Sequence, residues 1–250
     1  MVAVPARFVM QAIMSAVQGV NYLCWHFIPH FVPAVMLQEN FADAKIGALL
    51  SAFQVGYVWL QIPASLAARR VGEKLLMSCD LLGNAAILFA MPAATRRFGF
   101  PALFAGIAGL GLFQSPRVPC LVGMKSRWQA AGIERVWTDI INGWSMSVFT
   151  VLASALTPRL ATRGKYGWHS VCYCYGTANL VVLVTMKWWR NWPSEWPGIS
   201  GEEKALLDAN FGTSSSRRDC HFDDTPFSPL LKRLLKVEGG AQQNDSLADV

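Results

Sequence analysis

The chain has 250 residues, of which 53% are hydrophobic and 15% are charged, and its net charge at pH 7 is +6. Soluble domains usually carry about 25% charged residues, so this composition argues against an ordinary soluble protein. The basic residues lie between long apolar stretches and in the C-terminal part, where membrane proteins place them. The positive charge therefore does not indicate a nucleic-acid partner.

Six apolar stretches predict six transmembrane helices. A helix needs roughly 20 mostly apolar residues to cross a hydrocarbon core about 30 Å thick. The second stretch contains no charged residue, whereas Asp80 interrupts the third and Arg117 the fourth. The first stretch is the weakest, because glutamines, an asparagine and two histidines dilute it. The predicted spans are, in chain order, residues 8–37, 46–68, 75–95, 98–124, 137–160 and 167–187.

We therefore expect an all-α, multi-pass membrane bundle at residues 1–190, followed by a polar cytoplasmic tail at residues 191–250. An N-terminus in the cytoplasm places nine Lys and Arg residues of the bundle inside and six outside, as the positive-inside rule favours. In the tail, Ser200 and Glu203 form a capping box that predicts a short helix at residues 200–210. A basic amphipathic segment predicts a second short helix at residues 228–237.

Helix two is rich in small residues. Gly56, together with serines and alanines on either side, lets a neighbouring backbone approach closely, which is how membrane helices pack without a hydrophobic driving force. We therefore expect a tight helix contact around Gly56.

Sequence patterns for catalysis or metal binding are absent. The six cysteines are scattered apart from Cys172 and Cys174, and their spacing matches neither a disulfide framework nor a zinc site. There is no HExxH zinc pair, no GxSxG elbow and no nucleotide-binding loop. We therefore expect no cofactor and no metal, and a membrane enzyme is the least favoured hypothesis.

Four segments carry a family resemblance in one order and at regular spacing. They are LSAFQVGYVWLQIPASLAARRVGEK, PRVPCLVGMKSRWQAAGIER, KYGWHSVCYCYG, and WPGISGEE with the later TPFSPLLK. With these motifs the chain resembles the N-terminal half of a major facilitator superfamily transporter of the anion:cation symporter group. That group includes sodium–phosphate, sialic-acid, vesicular glutamate and plastid anion carriers. The resemblance implies a secondary carrier of organic or inorganic anions, built from two six-helix halves, with Na⁺ or H⁺ as coupling ion.

The resemblance also implies charged positions, and here neutral residues occupy them. An arginine of helix one that would hold the substrate anion falls on Trp25. A glutamate of helix four that would couple transport falls on Gln114, and a further arginine falls on Ile107. Two hypotheses stay open: the chain is one half of an anion carrier, or it is a non-transporting half. In the second case it pairs with itself or with a complete transporter as an interaction or regulatory protein.

Ionisable residues at membrane depth are functional candidates, because burying each one costs about 3 kcal/mol. Arg117 is predicted either to present a cation to the central cavity or to extend to the cytoplasmic interface. Asp80 is either a functional carboxylate or an interfacial, helix-pairing one. His26 and His30 share a helix face and either relay protons or bind a cation, or simply line a pore mouth. The substrate-pathway candidates are Trp25, His26, His30, Gln114 and Arg117.

A cationic turn around Gly72 follows the second span. In the family that the chain resembles, such a turn gates the cytoplasmic opening, but topogenic positive charge explains it equally well. An acidic–basic pair at the start of helix five has either a substrate role or a structural one as an interhelix salt bridge. The gating candidates are Arg69, Arg70, Gly72, Lys74, Glu134 and Arg135.

Overall fold

The structure is a computed structural model that describes residues 5–42, 45–130, 132–163 and 166–208. These residues form α-helices, with a 3-10 turn at Pro193–Glu195. The second predicted tail helix, at residues 228–237, lies outside the described residues. The helices are α1 (Ala6–His26), α2 (Ile28–Gln38), α3 (Ile46–Val71), α4 (Glu73–Phe98), α5 (Phe100–Gln114), α6 (Arg117–Trp128), α7 (Ile133–Arg163), α8 (Trp168–Thr185) and α9 (Gly201–Asp208).

Two of the six predicted spans are each divided into two helices. Only Phe27 separates α1 from α2, and its backbone stays close to helical, so the two run on with a local break. Ser115 and Pro116 separate α5 from α6. Proline lacks a backbone N–H and crowds the preceding turn, so it interrupts the helical hydrogen-bond ladder at this point.

Three of the described helices are long and apolar enough, by length and composition, to cross a membrane. They are Ile46–Ala68 within α3, and the whole of α4 and α7. The α2 helix is apolar but shorter, because of the break at Phe27. Apolar helices suit a bilayer because each one satisfies its own backbone hydrogen bonds where no water is present.

One end of the bundle, which we call the Arg7 end, brings together the first residues of α1, α4 and α7 and the last residues of α6. Arg7 pairs with Glu134 of α7 at 2.8 Å, and Glu203 of α9 accepts hydrogen bonds from the first backbone N–H groups of α1. Arg127 of α6 pairs with Glu73 of α4. Charged side chains at this end thereby tie α1 to α7 and α9, and tie α6 to α4.

The opposite end, which we call the Gln38 end, joins α2, α7 and α8. Gln38 Nε2 donates to the carbonyl of Ala161 at 3.0 Å, and Gln38 Oε1 accepts the backbone N–H of Trp168 at 3.2 Å. The Trp168 indole donates to Glu39 Oε1 at 2.9 Å. The segment formed by α1 and α2 runs from the Arg7 end to the Gln38 end, and so does α7. Because α8 begins at the Gln38 end, it runs antiparallel to them.

The backbones of α3 and α5 approach each other closely at two glycines. A Cβ on Gly56 would lie 2.1 Å from the carbonyl oxygen of Ala108, and a Cβ on Gly111 would lie 2.1 Å from the carbonyl oxygen of Phe53. The two glycines therefore act reciprocally, each admitting the backbone of the other helix. The tight contact predicted around Gly56 is confirmed, and Gly111 completes it.

By contrast, α7 buries only a narrow face, with Asn142, Ala153 and Thr157 among its buried residues. Much of its exposed surface is apolar, and two tryptophans on it, Trp137 and Trp144, are 59% and 71% exposed. Such a helix needs lipid or another apolar surface around it.

Candidate functional site

Arg117 is the first residue of α6, immediately after the break at Pro116, and it is 3% exposed. Its guanidinium carbon lies 4.7 Å from the ring centre of Tyr22 and 5.1 Å from that of Trp25, both on α1. Cations at this distance from an aromatic face are attracted by the ring quadrupole. The resemblance implies an arginine at position 25. In this chain a positive charge does lie beside that position, but it comes from α6.

Trp25, which contacts the Arg117 guanidinium, is itself packed against other aromatic rings. Its indole meets Phe53 and Tyr57 of α3 edge to face, with ring centres 5.0 Å and 4.9 Å apart. Edge-to-face pairs hold aromatic rings in a defined orientation. The ring is therefore fixed between α1 and α3 and cannot turn away from Arg117 without losing both contacts.

A cleft of about 110 Å³ opens beside this guanidinium. It is lined by Gln18, Tyr22, Arg117, Val118, Leu121, Val122 and Lys125. Within the described part of the chain, Nη1 of Arg117 and Oε1 of Gln18 are buried and have no hydrogen-bond partner. The Lys125 ammonium pairs with Asp139 of α7 at 2.9 Å. Arg117 thus lines the cleft, and its Nη1, which carries two N–H donors, has no acceptor among the described groups.

Gln114, the last residue of α5, is fully buried, and neither its amide oxygen nor its amide nitrogen has a partner among the described residues. Ile107, at the other implied charged position, belongs to the apolar core. A neutral amide cannot carry a coupling charge at position 114. Any such charge has to come from elsewhere in the bundle.

The two histidines have different surroundings. His26 stacks on Tyr22, the ring that Arg117 also covers, with ring centres 5.6 Å apart. His30 lies beyond the break at Phe27, is exposed, and shares a hydrogen bond of 3.1 Å with Ser154 of α7. His26 is therefore part of the Arg117 site and His30 is part of the α2–α7 contact.

No group of three or more His, Cys, Asp or Glu residues is placed to hold a metal ion in the part of the chain that the structure describes. Cys172 is buried and Cys174 is exposed, so this closely spaced pair points to different sides of α8. The described residues thus offer no metal centre near the cleft.

At the Arg7 end, Gly72 joins α3 to α4 with φ of +85°, a conformation that favours glycine. Arg70 is exposed, and Lys74 donates its backbone N–H to Asn191 Oδ1 at 3.0 Å. The side chain of Arg69 is not among those that the structure describes. Among the described ion pairs, none involves Arg70 or Lys74 of the predicted basic turn.

A buried ion pair at this end is formed by Glu73 of α4 and Arg127 of α6. Arg127 Nη1 donates to Glu73 Oε2 at 3.1 Å and to the carbonyl of Asn191 at 3.0 Å, and its guanidinium also lies 4.5 Å from the ring centre of Trp192. Both side chains are mostly buried. Sequence reasoning missed this pair, although a lone acidic residue in a basic turn was a signal that could have indicated it.

Glu134 and Arg135 separate in the structure. Glu134 joins α7 to α1 through its ion pair with Arg7, whereas Arg135 is exposed. The position of Glu134 is that of an interhelix salt bridge at the Arg7 end. It lies at the helix ends, away from the buried guanidinium of Arg117.

Comparison with known proteins gives a consistent result. The family profile described as Major Facilitator Superfamily matches residues 14–238. The chain is 29% identical over 174 residues to "Ascorbate transporter, chloroplastic" of Arabidopsis thaliana, which is 69% of this chain and 31% of that protein. It is 27% identical over 190 residues to "Sialin" of Homo sapiens (75% of this chain, 37% of that protein) and 24% identical over 187 residues to "Vesicular glutamate transporter 2" of Mus musculus (71% and 30%).

The chain spans about a third of the length of these curated relatives. Its helical bundle and apolar spans agree with a multi-pass membrane protein. The profile match covers most of the sequence, and the relatives are transporters of the anion type that the motifs resemble. The chain therefore belongs to the Major Facilitator Superfamily.

Proposed function

We propose that this chain is the six-helix N-terminal half of a secondary carrier of organic or inorganic anions, with its N-terminus in the cytoplasm, and that Arg117 binds the anion. The observation that carries the proposal is the buried guanidinium beside Trp25, which lines a cleft and whose Nη1 has no hydrogen-bond acceptor among the described groups. Family membership makes transport the expected activity, but the residue that would hold the solute is argued from this chain alone.

Arg117 suits this role because of its chemistry and its setting. A guanidinium presents its N–H groups in a planar fork that matches carboxylate and phosphate oxygens. Tyr22 and Trp25 hold that plane in place, so little side-chain entropy remains to be lost on binding. The site is also shielded from water, where charge–charge attraction is several times stronger than in bulk solvent.

The size and charge of the cleft favour a small anionic group. Lys125 lies two turns beyond Arg117 on α6, about 12 Å along the helix axis. It is partly exposed and shares its charge with Asp139, so it can attract an anion to the mouth without holding it. Two relatives are named for ascorbate and glutamate, which are both organic acids. We propose a carboxylate or phosphate group as the part of the substrate that Arg117 binds.

The test is anion binding to the purified chain in lipid nanodiscs, because binding needs no second half. Thermal unfolding is followed in ascorbate, L-glutamate or inorganic phosphate against chloride at equal ionic strength. An anion at about 100 times its Kd stabilises the folded state by roughly 2.7 kcal/mol. We expect at least one anion to raise Tm for the wild type and for Arg97→Gln, an exposed arginine that also lies over an aromatic ring.

The same anion should leave the Tm of Arg117→Gln unchanged. If Arg117→Gln is stabilised as much as the wild type, Arg117 does not bind the anion. Where the chain also supports uptake, Arg117→Ala should abolish the uptake of anions and leave membrane insertion intact.

A second candidate function is a non-transporting half that pairs with itself or with a complete transporter. The observation that favours a protein partner is the exposed apolar surface of α7, which includes Trp137 and Trp144. Carriers of this class enclose a midplane site between two halves, so a second half would cover such a surface as well. The native size in membranes separates the two, using an antibody to residues 200–218: a band near 27.5 kDa favours a separate half that pairs with a partner. A band at about twice that mass favours one half of a twelve-helix carrier.

A further inference from the structure

Asp80 lies about two turns into α4 and is fully buried. The sequence left open whether it is a functional carboxylate or an interfacial, helix-pairing one, and in the structure it contacts α1 through Asn21. Its Oδ2 accepts a hydrogen bond of 2.8 Å from Asn21 Nδ2 of α1, and its Oδ1 accepts one of 2.6 Å from Asn84 Nδ2, one turn further along α4. Both partners are neutral amides and both are fully buried.

Within the described residues, no cationic nitrogen lies within 4.0 Å of this carboxylate, because Asp80 belongs to none of the ion pairs found there. The ionisable groups that interact with it at longer range are Arg117 and Cys120 on α6 and Cys24 on α1. The neighbouring α5 contains no ionisable residue, and α8 faces Cys24 with the neutral amide of Asn179. A charged Asp80 is therefore held by amide hydrogen bonds and by the distant field of Arg117.

The cluster also contains an acceptor without a donor. Oδ1 of Asn84 is buried and has no hydrogen-bond partner among the described groups. A buried acceptor that is left unpaired costs about 1–3 kcal/mol. The cluster thus holds a buried negative charge and an unpaired acceptor, and a proton bound to Asp80 would neutralise the charge and add one donor to the cluster.

From this geometry we propose that Asp80, with Asn21 and Asn84, forms a proton-binding site within the membrane bundle. A proton from the aqueous phase bonds to a carboxylate oxygen of Asp80, no other bond is broken, and the cluster becomes neutral. The resulting O–H is the kind of donor that Asn84 Oδ1 lacks. A sodium ion fits less well, because both amides point N–H groups at the carboxylate and would repel a metal cation.

The use of this site in transport, though not the site itself, rests on the function proposed above. Asp80 and Arg117 interact as opposite charges, so an ionised Asp80 draws on the same guanidinium that would bind the anion. Binding a proton removes that competition, and linkage requires that a bound anion favours the proton equally. A proton and an anion would then bind together.

The test is infrared difference spectroscopy of the full chain in lipid nanodiscs, titrated from alkaline to acidic pH. A protonated carboxylic acid has a C=O stretch separate from that of a carboxylate, and a buried one differs in frequency from acids in water. We expect a buried-acid band to appear on acidification and to be absent in Asp80→Asn. It should be retained in Asp139→Asn, which alters an exposed, ion-paired aspartate.

Asn84→Ala is the second variant, in case Asp80→Asn does not fold. It removes the 2.6 Å hydrogen bond and should shift the frequency of the band without abolishing it. A band that persists unchanged in both variants, or no buried-acid band in the wild type, overturns the proposal. Loss of the band when Na⁺ replaces an organic cation at constant pH also overturns it, because the resident ion would then be a metal. None of these outcomes depends on whether the chain binds or transports an anion.

Discussion

The contact between α3 and α5 leads to a quantitative prediction for Gly111→Ala. In an ordinary helix this substitution stabilises by about 0.5–1 kcal/mol, because alanine restricts the unfolded chain more than glycine does. Here the added methyl would lie 2.1 Å from the Phe53 carbonyl oxygen and 2.9 Å from the Tyr57 nitrogen. Both obstacles are backbone atoms, so no side-chain rotation relieves the overlap.

The size of the effect follows from how far the helices must separate. To bring the methyl to the 3.0 Å below which real contacts essentially never fall, α3 and α5 have to move apart by about 1 Å. Overpacking of this kind typically costs about 1–3 kcal/mol, which exceeds the gain in helix propensity. After the gain in helix propensity is subtracted, we expect a net loss of about 1 kcal/mol, or a Tm lower by roughly 2–4 °C for a chain of this length.

Buried cysteines provide the assay. Cys24, Cys120 and Cys172 are buried in the bundle, so a thiol-reactive fluorophore reports their exposure as the protein unfolds. Gly143→Ala is the matched control, because a Cβ at this α7 position meets nothing within 4 Å. Its Tm should equal or exceed that of the wild type. A Gly111→Ala variant that is as stable as Gly143→Ala would show that α3 and α5 do not pack backbone to backbone.

Two further predictions concern the Arg7 end. Glu203→Gln should weaken the hydrogen bonds to the start of α1, lower the stability by about 1 kcal/mol and speed trypsin cleavage around α9, whereas Glu202→Gln, an exposed neighbour, should do neither. Equal cleavage rates in the two variants would contradict the capping role. Arg127→Gln should cost about 3 kcal/mol because it leaves Glu73 buried without its cation, and adding Glu73→Gln should recover part of that loss. Additive losses in thermal unfolding would show that the two residues are not coupled.

Local sequence signals predicted the features that depend on neighbouring residues. The capping box placed the start of α9, where the Glu203 N–H donates to Ser200 Oγ at 3.1 Å. The same pattern would send the Glu203 carboxylate back to its own helix, but in the structure it binds the N–H groups of Ala6 and Arg7 instead. Those groups are almost 200 residues away in the chain, so no local pattern could indicate the contact.

The surroundings of Arg117 show the same limit at the candidate site. The sequence placed it near the cytoplasmic end of helix four and left two positions open, a cavity and an interface. The choice depends on the break at Ser115 and Pro116, which sets the direction of α6, and on the aromatic rings that α1 presents to it. The sequence indicates that a proline interrupts the helix, but it does not give the angle between the helix before the proline and the helix after it.

The two charges in the interior are hard to explain as structural elements. Each ionisable side chain at membrane depth costs about 3 kcal/mol, and in the described residues neither Arg117 nor Asp80 forms an ion pair that would offset this cost. A bundle selected only for stability would gain from apolar residues at both positions. The positions where the resemblance implies an arginine and an acid hold Trp25 and Gln114, yet a cation lies against Trp25 and an acid lies buried in the neighbouring α4. The chain therefore has a cation and an acid in the bundle, but at other sequence positions than the resemblance implies. An anion or a proton responds to the charge near its binding site, whichever helix supplies that charge. A different position in the chain is therefore consistent with a binding role for both residues.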